Sequence, residues 1–228
     1  MKILEIKNLN FSYDDKAILS NINLYVNKGE VVSIIGKSGV GKSTLFNLIT
    51  NVIEHKEKNI IINSNSSPKI GYMQQKDLLF EHKTIFENLK LPLILNKKNN
   101  IDETVENYLK EFNMLEYKNL YPKELSGGLK QRISFIRTIL LNCPIYLLDE
   151  PFSALDYITK TNIHNWFITT QKKLEFTALL ITHDIDEALK LSNRIYILNK
   201  TITDEIIIKD NNLSKYKDIL IDKIISVE

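Results

Sequence analysis

The order of apolar and polar residues in the first third of the chain predicts strands, then a helix. The stretches ILEIKNLNFSY and SNINLYV are typical of strands, and the unbroken Val/Ile run of EVVSIIG indicates a strand buried on both faces. In KSTLFNLITNVI the apolar residues instead recur with helical spacing, at Leu45, Leu48 and Val52. The short segments NIIIN and KIGYM then predict two further strands.

The middle of the chain, at about residues 84–142, changes to helical spacing. In DETVENYLKEFNML and in KQRISFIRTILLN the apolar residues recur at intervals of three and four. Beyond this part, strands are predicted at IYLLD, TALLITH, RIYILNK and DEIIIKD. Helices are predicted between them, in the segment through Trp166 and at DIDEALKLSN. Apolar strands that alternate with helices are typical of an α/β fold with a parallel sheet.

The predicted organisation is a single domain, residues 1–228, with a helical insertion. We expect about residues 1–83 and 143–210 to form the α/β core and about residues 84–142 to form a helical subdomain. Residues 211–228 are expected to form a short C-terminal tail. A chain of 228 residues is long enough for one large domain of this kind.

Composition excludes several classes of protein. The 30 basic and 28 acidic residues give a formal net charge of +2, so we expect no nucleic-acid partner. Cys143 is the only cysteine, which excludes an internal disulfide and a thiolate metal cluster and fits a reducing compartment. Glu5 and Lys7 interrupt the apolar start, unlike a secretory signal, and no run reaches the roughly 18 apolar residues of a membrane span. We therefore expect membrane contact only through a partner.

The first chemical motif lies between the strand EVVSIIG and the helix that follows it. GKSGVGKS, residues 36–43, matches G-x-x-x-x-G-K-[ST] in the strand-to-helix context that a phosphate-binding loop requires. We call it the phosphate loop. Its glycines let backbone N–H groups surround phosphate oxygens, Lys42 supplies a charge to the β- and γ-phosphates, and Ser43 offers a hydroxyl to Mg²⁺. The expected nucleotide contacts are Gly36, Lys37, Ser38, Gly39, Val40, Gly41, Lys42, Ser43 and Thr44.

The apolar strand predicted at IYLLDE, residues 145–150, ends in two carboxylates. The ends of strands in such sheets face the ligand crevice, so Asp149 and Glu150 are expected beside the phosphates. Asp149 is placed to hold Mg²⁺, directly or through water. Glu150 is placed to orient an attacking water and to accept its proton.

A second anion-binding element is predicted at LSGG, residues 125–128, which we call the LSGG segment. Ser126 can cap the following helix, and Gly127 and Gly128 expose the first N–H groups of that helix to an anion. One chain thus carries two phosphate-binding elements for one nucleotide. A symmetric dimer can accommodate both elements.

Over about residues 2–208 these motifs resemble the nucleotide-binding subunit of an ABC transporter, in which LSGG is the signature motif. The resemblance implies a P-loop α/β core of the ABC type, with an N-terminal antiparallel β subdomain and an inserted α-helical subdomain. It implies ATP and Mg²⁺ as cofactors, and a dimer in which each ATP lies between the phosphate loop of one chain and the LSGG segment of the other. It also implies that Gln131, within LSGGLKQR, contacts the nucleotide, and that hydrolysis depends on Lys42, Gln75, Glu150 and His183.

Two assignments from the resemblance have competing residues. Tyr13 resembles the aromatic residue that stacks on adenine, with Phe11 as the alternative and core packing as a further explanation for either. In GYMQQKDLLF a glutamine should reach both the metal and the attacking water. Aligning LLF with the LLL that relatives carry selects Gln75 rather than Gln74. Where such relatives continue with Pro-Trp, this chain has Glu-His, in a loop that lies next to the transmembrane partner in the family.

The remaining motifs of the resemblance follow Glu150. Residues 153–156, SALD, match the D-loop, which crosses the dimer, so Asp156 is expected to help shape the far site. His183 lies where the family has a switch histidine that contacts the γ-phosphate. Asp184 and Glu187 have the spacing of a capping box for the next helix, which predicts a structural role for both.

The motifs are most similar to those of importer ATPases for nitrate, sulfonates, taurine and thiamine precursors, on the basis of LSGGLKQR and YLLDEPFSALD. Such an ATPase is expected at the cytoplasmic face of the inner membrane, as a homodimer or with a paired ATPase subunit. Its other partners would be integral-membrane permease subunits and a substrate-binding protein. The alternatives are an ATPase of export, lipoprotein release or cell division, and a non-transport ABC ATPase. A GTPase is excluded because Asn199-Lys200 lacks the following NKxD aspartate.

Overall fold

A computed structural model of the chain describes residues 1–54, 59–66, 68–153, 155–210 and 212–225. These residues form nine strands, namely β1 (Lys2–Tyr13), β2 (Lys16–Asn27), β3 (Val31–Ile35), β4 (Ile60–Ile62), β5 (Ile70–Met73), β6 (Ile145–Asp149), β7 (Ala178–Ile181), β8 (Arg194–Asn199) and β9 (Thr201–Ile207). They form seven α-helices, namely α1 (Lys42–Ile49), α2 (Ile85–Leu95), α3 (Ile101–Glu111), α4 (Gly127–Ile139), α5 (Tyr157–Leu174), α6 (Ile185–Leu191) and α7 (Leu213–Ile225).

The strands are divided between two sheets. The smaller sheet has the order β2-β1-β4 and is antiparallel throughout, which confirms the predicted antiparallel β region near the N-terminus. The larger sheet has the order β5-β6-β7-β3-β8-β9, and its first five strands run parallel. The α/β fold expected from the alternation of patterns is therefore confirmed.

The last strand of the larger sheet departs from the parallel arrangement. β9 pairs antiparallel with β8, and only Lys200, at φ 60°, separates the two strands. A connection this short makes a hairpin, because a parallel neighbour would need a crossover of a dozen or more residues.

The central strand β3 explains the unbroken apolar run in the sequence. It lies between β7 and β8, and all five of its residues are buried. One face of the large sheet shares a core with α1 and the small sheet, including Leu9, Ile34 and Phe46. The other face packs against α4 and α5 through residues such as Phe135 and Phe167.

The first helix is shorter than the pattern suggested. The sequence predicted a helix to Ile53, but α1 ends at Ile49 and Asn51 adopts a left-handed conformation with φ 58°. The amides of Val52 and Ile53 both donate to the carbonyl of Asn47 instead of continuing the helix. Val52 is exposed, so its position at helical spacing did not reflect burial against the core.

Helices α2, α3 and α4 surround a separate hydrophobic cluster that includes Leu89, Leu109 and Ile136. Two short 3₁₀ turns, Leu115–Tyr117 and Pro122–Glu124, connect α3 to α4. α4 belongs to both cores, since Phe135 and Ile139 on the same helix face the large sheet. The helix therefore joins the region we expect to be the helical subdomain to the core.

The C-terminal helix α7 packs against α6, and Leu220 is fully buried between α7 and the core. Tyr216 accepts the amide proton of Lys209, which ties the start of α7 to the end of the sheet. Within the described ranges, none of the helices is both long enough and apolar enough to cross a lipid bilayer.

Candidate functional site

The parallel strands bring several predicted residues to one edge of the large sheet. Met73 of β5 pairs with Leu148 of β6, and Asp149 of β6 pairs with Ile181 of β7. β7 in turn pairs with β3, whose end leads into the phosphate loop. The residues that follow these four strands therefore meet, although 147 positions separate Gly36 from His183 in the sequence.

The phosphate loop is tightly enclosed by its own chain. A Cβ added to Gly36 would lie 2.3 Å from the carbonyl oxygen of Leu198, so only glycine fits there. Gly39 and Gly41 have φ values of 79° and 103°, in the left-handed region that favours glycine. Gly41 is also the N-cap of α1, and because it has no side chain, none competes for the first amides of this helix.

Lys42 is held at the centre of this loop. Its side chain reaches back so that Nζ donates to the carbonyls of Gly36, at 2.7 Å, and Lys37, at 2.8 Å, and the residue is only 7% exposed. Burial lowers the pKa of Lys42, while the nearby carboxylates of Glu150 and Asp149 act in the opposite direction. An ammonium group that is buried without a bonded carboxylate is suited to an anionic ligand.

Asp149 closes the strand β6 and is partly buried. The hydroxyl of Tyr72 donates to its Oδ2 at 3.3 Å. Burial raises the pKa of Asp149, and the hydrogen bond from Tyr72 offsets part of this effect. Burial and the nearby Asp149 also raise the pKa of Tyr72 to about 12. A carboxylate in such a place favours a cation, which supports the assignment of Asp149 as a metal ligand.

Tyr72 was missed by the sequence reasoning. Its position in the strand KIGYM gave no chemical signal. In the structure Tyr72 pairs with Leu147, two positions before Asp149. This strand register would have identified Tyr72, but the sequence does not reveal which strands are neighbours.

The side chains of two other predicted residues, His183 and Gln75, both approach the carboxylate of Glu150. Its Oε2 lies 3.2 Å from Nδ1 of His183 and 3.4 Å from Nε2 of Gln75. The same amide of Gln75 lies 3.4 Å from Oγ of Ser153 in the D-loop. The side chain of His183 is 61% exposed, so it can also contact a ligand. These contacts support Gln75 over Gln74, the same choice that the alignment of LLF with the relatives favoured.

The two aromatic candidates for adenine stacking lie at the end of β1. Their rings meet edge to face, with centroids 4.9 Å apart. Phe11 packs against the core, whereas Tyr13 is 47% exposed. Tyr13 therefore has more ring surface available to a ligand.

The LSGG segment begins α4 on a more open surface. Ser126 caps the helix and its Oγ accepts the amide proton of Leu129 at 3.4 Å. A Cβ added to Gly127 would come no closer than 3.6 Å to another residue, Leu155. A Cβ added to Gly128 would lie 2.4 Å from Cγ2 of Thr159, so this glycine serves the packing of α4 on α5. Gly128 thus has a structural function besides the expected contact with an anion.

Gln131 and Asp156 are less available than their motifs suggested. Gln131 is buried, and its Oε1 has no hydrogen-bond partner within the part of the chain that the structure describes. Asp156 is exposed, but its Oδ1 accepts the amide protons of Ile158 and Thr159 at 3.1 Å and so caps α5. Nucleotide contacts by these two residues stay predictions. Ala154, also in the D-loop, lies outside the described residues.

Comparisons with known proteins agree with this architecture. A family model described as ABC transporter matches residues 19–153. The formylaminopyrimidine import ATP-binding protein ThiZ of Halalkalibacterium halodurans is 39% identical over 199 residues, covering 86% of this chain and 79% of that protein. The aliphatic sulfonates import ATP-binding protein SsuB of Bacillus anthracis is 36% identical, covering 86% of this chain and 80% of that protein.

A solved structure extends the agreement to three dimensions. The dimeric bacterial ABC transporter cassette MJ0796 matches with a TM-score of 0.77 and 30% identity, covering 91% of this chain and 100% of that one. The same cassette in a post-hydrolysis state, bound to ADP and phosphate, matches with a TM-score of 0.75 and 29% identity over the same shares.

A phosphate loop between a central parallel strand and a helix, with two carboxylates at the end of β6 in the same sheet, is typical of a P-loop NTPase. The chain belongs to the ABC transporter family, and it is an ATP-binding ATPase of that family.

Proposed function

We propose that this chain is the ATPase subunit of an importer for a small solute. The relatives named for import of formylaminopyrimidine, aliphatic sulfonates, and spermidine and putrescine support this. Such a subunit would work at the cytoplasmic face of the membrane, bound to integral-membrane permease subunits and served by a substrate-binding protein. The region at about residues 84–142 would pass its movement to the permease.

Two subunits are proposed to close over two ATP molecules. In each site the phosphate loop of one subunit would hold the phosphates, and Ser126 and Gly127 of the other subunit would cover the γ-phosphate. The dimeric form of the related cassette supports this arrangement, and so does the open surface around Gly127. Tyr13 would stack on the adenine.

The residues present fit a magnesium ion. Mg²⁺ prefers oxygen ligands, and the carboxylate of Asp149, the hydroxyl of Ser43 and the amide oxygen of Gln75 would supply them. Burial raises the pKa of Asp149, so a cation held there would favour the ionised carboxylate. Mg²⁺ usually keeps several waters and substrate oxygens as ligands, which fits a site with few protein ligands. When bound, the ion would neutralise charge on the β- and γ-phosphates.

The observation that carries the proposed mechanism is the contact of Glu150 with His183 and Gln75. We propose that Glu150 accepts a proton from the attacking water, that Gln75 orients the same water, and that His183 contacts the γ-phosphate. Lys42 would stabilise charge on the phosphates. Positioning and charge stabilisation supply most of the rate in phosphoryl transfer, which fits a site built from fixed polar groups.

The substitution Glu150→Gln tests this mechanism. Gln keeps the size of the side chain and can hydrogen-bond water, but it cannot accept a proton at neutral pH. We expect hydrolysis to slow by about 10²–10⁴-fold, as is common when a general base is removed. ATP binding should persist, because the phosphate loop is unchanged, and the ATP-bound dimer should accumulate.

Phosphate release, together with size-exclusion chromatography with and without ATP, measures both effects. Glu111→Gln is a matched control, because Glu111 on α3 pairs with Lys173 at the surface. Near-normal turnover in Glu150→Gln would assign the proton transfer to another group, with His183 examined next. Loss of ATP binding would give Glu150 a structural or metal-binding role instead.

The proposed transport function needs a separate experiment. The tagged chain should co-purify from detergent-solubilised membranes with integral-membrane subunits, and the complex in proteoliposomes should take up a solute only with ATP. Formylaminopyrimidine and aliphatic sulfonates are the first solutes to test, given the relatives. Outward movement of solute by the reconstituted complex would contradict the importer assignment.

A further inference from the structure

A partly buried group of charged and titratable side chains lies between α5 and α6. Nζ of Lys160 is 2.5 Å from Oδ2 of Asp184 and 3.2 Å from Oε2 of Glu187. Nε2 of His164 is 3.3 Å from the same oxygen of Glu187. Lys160 and His164 belong to α5, while the carboxylates lie at the start of α6. We call these four residues the α5–α6 cluster.

The cluster is more than a surface ion pair. Glu187 is only 2% exposed and His164 is also buried, so water cannot solvate this carboxylate if its partners are removed. Burial raises the pKa of Asp184, but the hydrogen bond and positive charge of Lys160, together with the amides of Glu187 and Asp186, outweigh burial, so the pKa is lowered. Breaking one partner of a buried ionic contact is costly because the other charge stays behind.

The sequence predicted a different use for the two carboxylates. Their spacing indicated a capping box, and half of it forms, because Asp184 accepts the amide proton of Glu187 at 3.0 Å. The other half does not form, since the amide of Asp184 donates to Oγ1 of Thr182 instead. The side chain of Glu187 is thereby available to bind Lys160 across the two helices.

The cluster connects two segments with proposed functions. Asp184 directly follows His183, and Thr182 directly precedes it, so the bonds of Asp184 fix the backbone on both sides of that histidine. On the other side, the amide of Lys160 donates to the carbonyl of Asp156, one helical turn away. Lys160 therefore links the end of the D-loop to the segment that carries His183.

We propose that Lys160 is a positioning residue for ATP hydrolysis, which holds His183 at its place beside Glu150 and fixes it relative to the D-loop. This inference rests on the proposed role of His183. In the dimer, the D-loop would reach towards the second site, so the link would also tie the geometry of one site to that of the other. Lys160 acts through His183 and needs no contact with ATP.

The substitution Lys160→Met tests this role in the full chain, because Met keeps the length of the side chain without its charge. We expect kcat to fall roughly 10- to 100-fold, the cost of a displacement of about 1 Å in a reacting group. KM for ATP should stay unchanged, since the phosphate loop is untouched. Lys160→Arg, which retains the charge, should recover most of the lost kcat.

The matched control is Lys217→Met. Lys217 of α7 also binds a carboxylate at the start of α6, Asp186, at 2.7 Å, but this pair is exposed and does not adjoin His183. Its loss should leave kcat unchanged, because exposed ion pairs contribute little. If kcat of Lys217→Met falls as much as that of Lys160→Met, the proposal is overturned, because any weakening of α6 would then be enough to slow hydrolysis.

The decisive comparison combines Lys160→Met with His183→Ala. If Lys160 acts through His183, the double variant should be no slower than His183→Ala alone. The proposal is wrong if the losses of kcat caused by the two substitutions multiply in the double variant. It is also wrong if Lys160→Met turns over normally while His183→Ala is slow. In both cases the proposed function stands. Normal turnover in His183→Ala would overturn both the role of His183 and this inference.

Should Lys160→Met not fold, because Glu187 stays buried and charged, the variant Lys160→Met with Glu187→Gln replaces it. The second substitution removes the unpaired charge, and the same comparison with His183→Ala then applies. Thermal melts of all variants, made with and without ATP, separate loss of folding from loss of turnover. A variant that melts earlier but keeps its kcat well below the melting temperature would show a merely structural role and overturn the proposal.

Discussion

The phosphate loop and the LSGG segment are both glycine-rich starts of helices, yet their surroundings differ. At Gly36 the carbonyl oxygen of Leu198 leaves no room for a Cβ, and Lys42 is fixed by two carbonyls of its own loop. At Gly127 an added Cβ would touch only Leu155, at an ordinary distance of 3.6 Å, and Ser126 is exposed. One anion-binding element is enclosed by its own chain, and the other faces outward.

This difference indicates which element depends on a second subunit. Substitutions in an enclosed loop should affect folding and ATP binding within one chain. Substitutions at Ser126 and Gly127, the outward-facing residues of the LSGG segment, should leave the folded, ATP-binding chain intact and affect the step that needs two chains. Three predictions test this comparison, from the largest expected effect to the smallest.

The largest effect is expected for Ser126→Arg. A bulky cation at this exposed position should block closure over the nucleotide of the other subunit, so hydrolysis should be lost. Folding and ATP binding by the single subunit should persist, and equilibrium ATP binding beside phosphate release measures both. Ser126→Ala is the size comparison, because it removes the hydroxyl, with its cap of α4 at a cost of about 0.5–2 kcal/mol in stability, but adds neither bulk nor charge. Normal turnover and ATP-dependent dimerisation in Ser126→Arg would refute the two-chain site.

Lys42→Ala should act on ATP binding instead. Loss of a charge-assisted contact to phosphate should cost at least about 1.5–3 kcal/mol, or roughly 10- to 150-fold in affinity. Calorimetric titration with ATP measures this change. Lys217→Ala, on α7, removes the same charge outside the loop and should bind ATP like the unmodified chain. Unchanged affinity in Lys42→Ala would contradict the assignment of the phosphate loop.

The smallest effects are expected from two glycine substitutions, compared by thermal or denaturant unfolding without ATP. Gly36→Ala should destabilise the chain by about 1–3 kcal/mol, the usual cost of overpacking, because the backbone at Leu198 must move. Gly127→Ala lies in the first turn of α4 with room for a methyl group, so its stability should be unchanged or slightly higher. Equal destabilisation by both would remove the contrast between the two elements.

Much of the architecture was predictable from local sequence patterns. The Val/Ile run of β3 indicated a strand buried on both faces, and the alternation of strands and helices predicted the parallel sheet. The phosphate loop and the two carboxylates at the end of β6 were recognisable because in each motif the functional residues are consecutive in the sequence. Local patterns were less reliable at element ends, as with Val52, where an exposed apolar residue prolonged the helical spacing beyond α1.

The sequence by itself determined which residue types this protein offers to a nucleotide, because each motif is a short run whose backbone and side chains act together. Only the tertiary structure decided which side chains meet across elements. The register of β5, β6 and β7 brings Gln75 and His183 to Glu150, and the packing of α5 on α6 gives Lys160 its two carboxylates. Such contacts join residues far apart in the chain, and strand order and helix packing, which no local pattern records, set the distances between them.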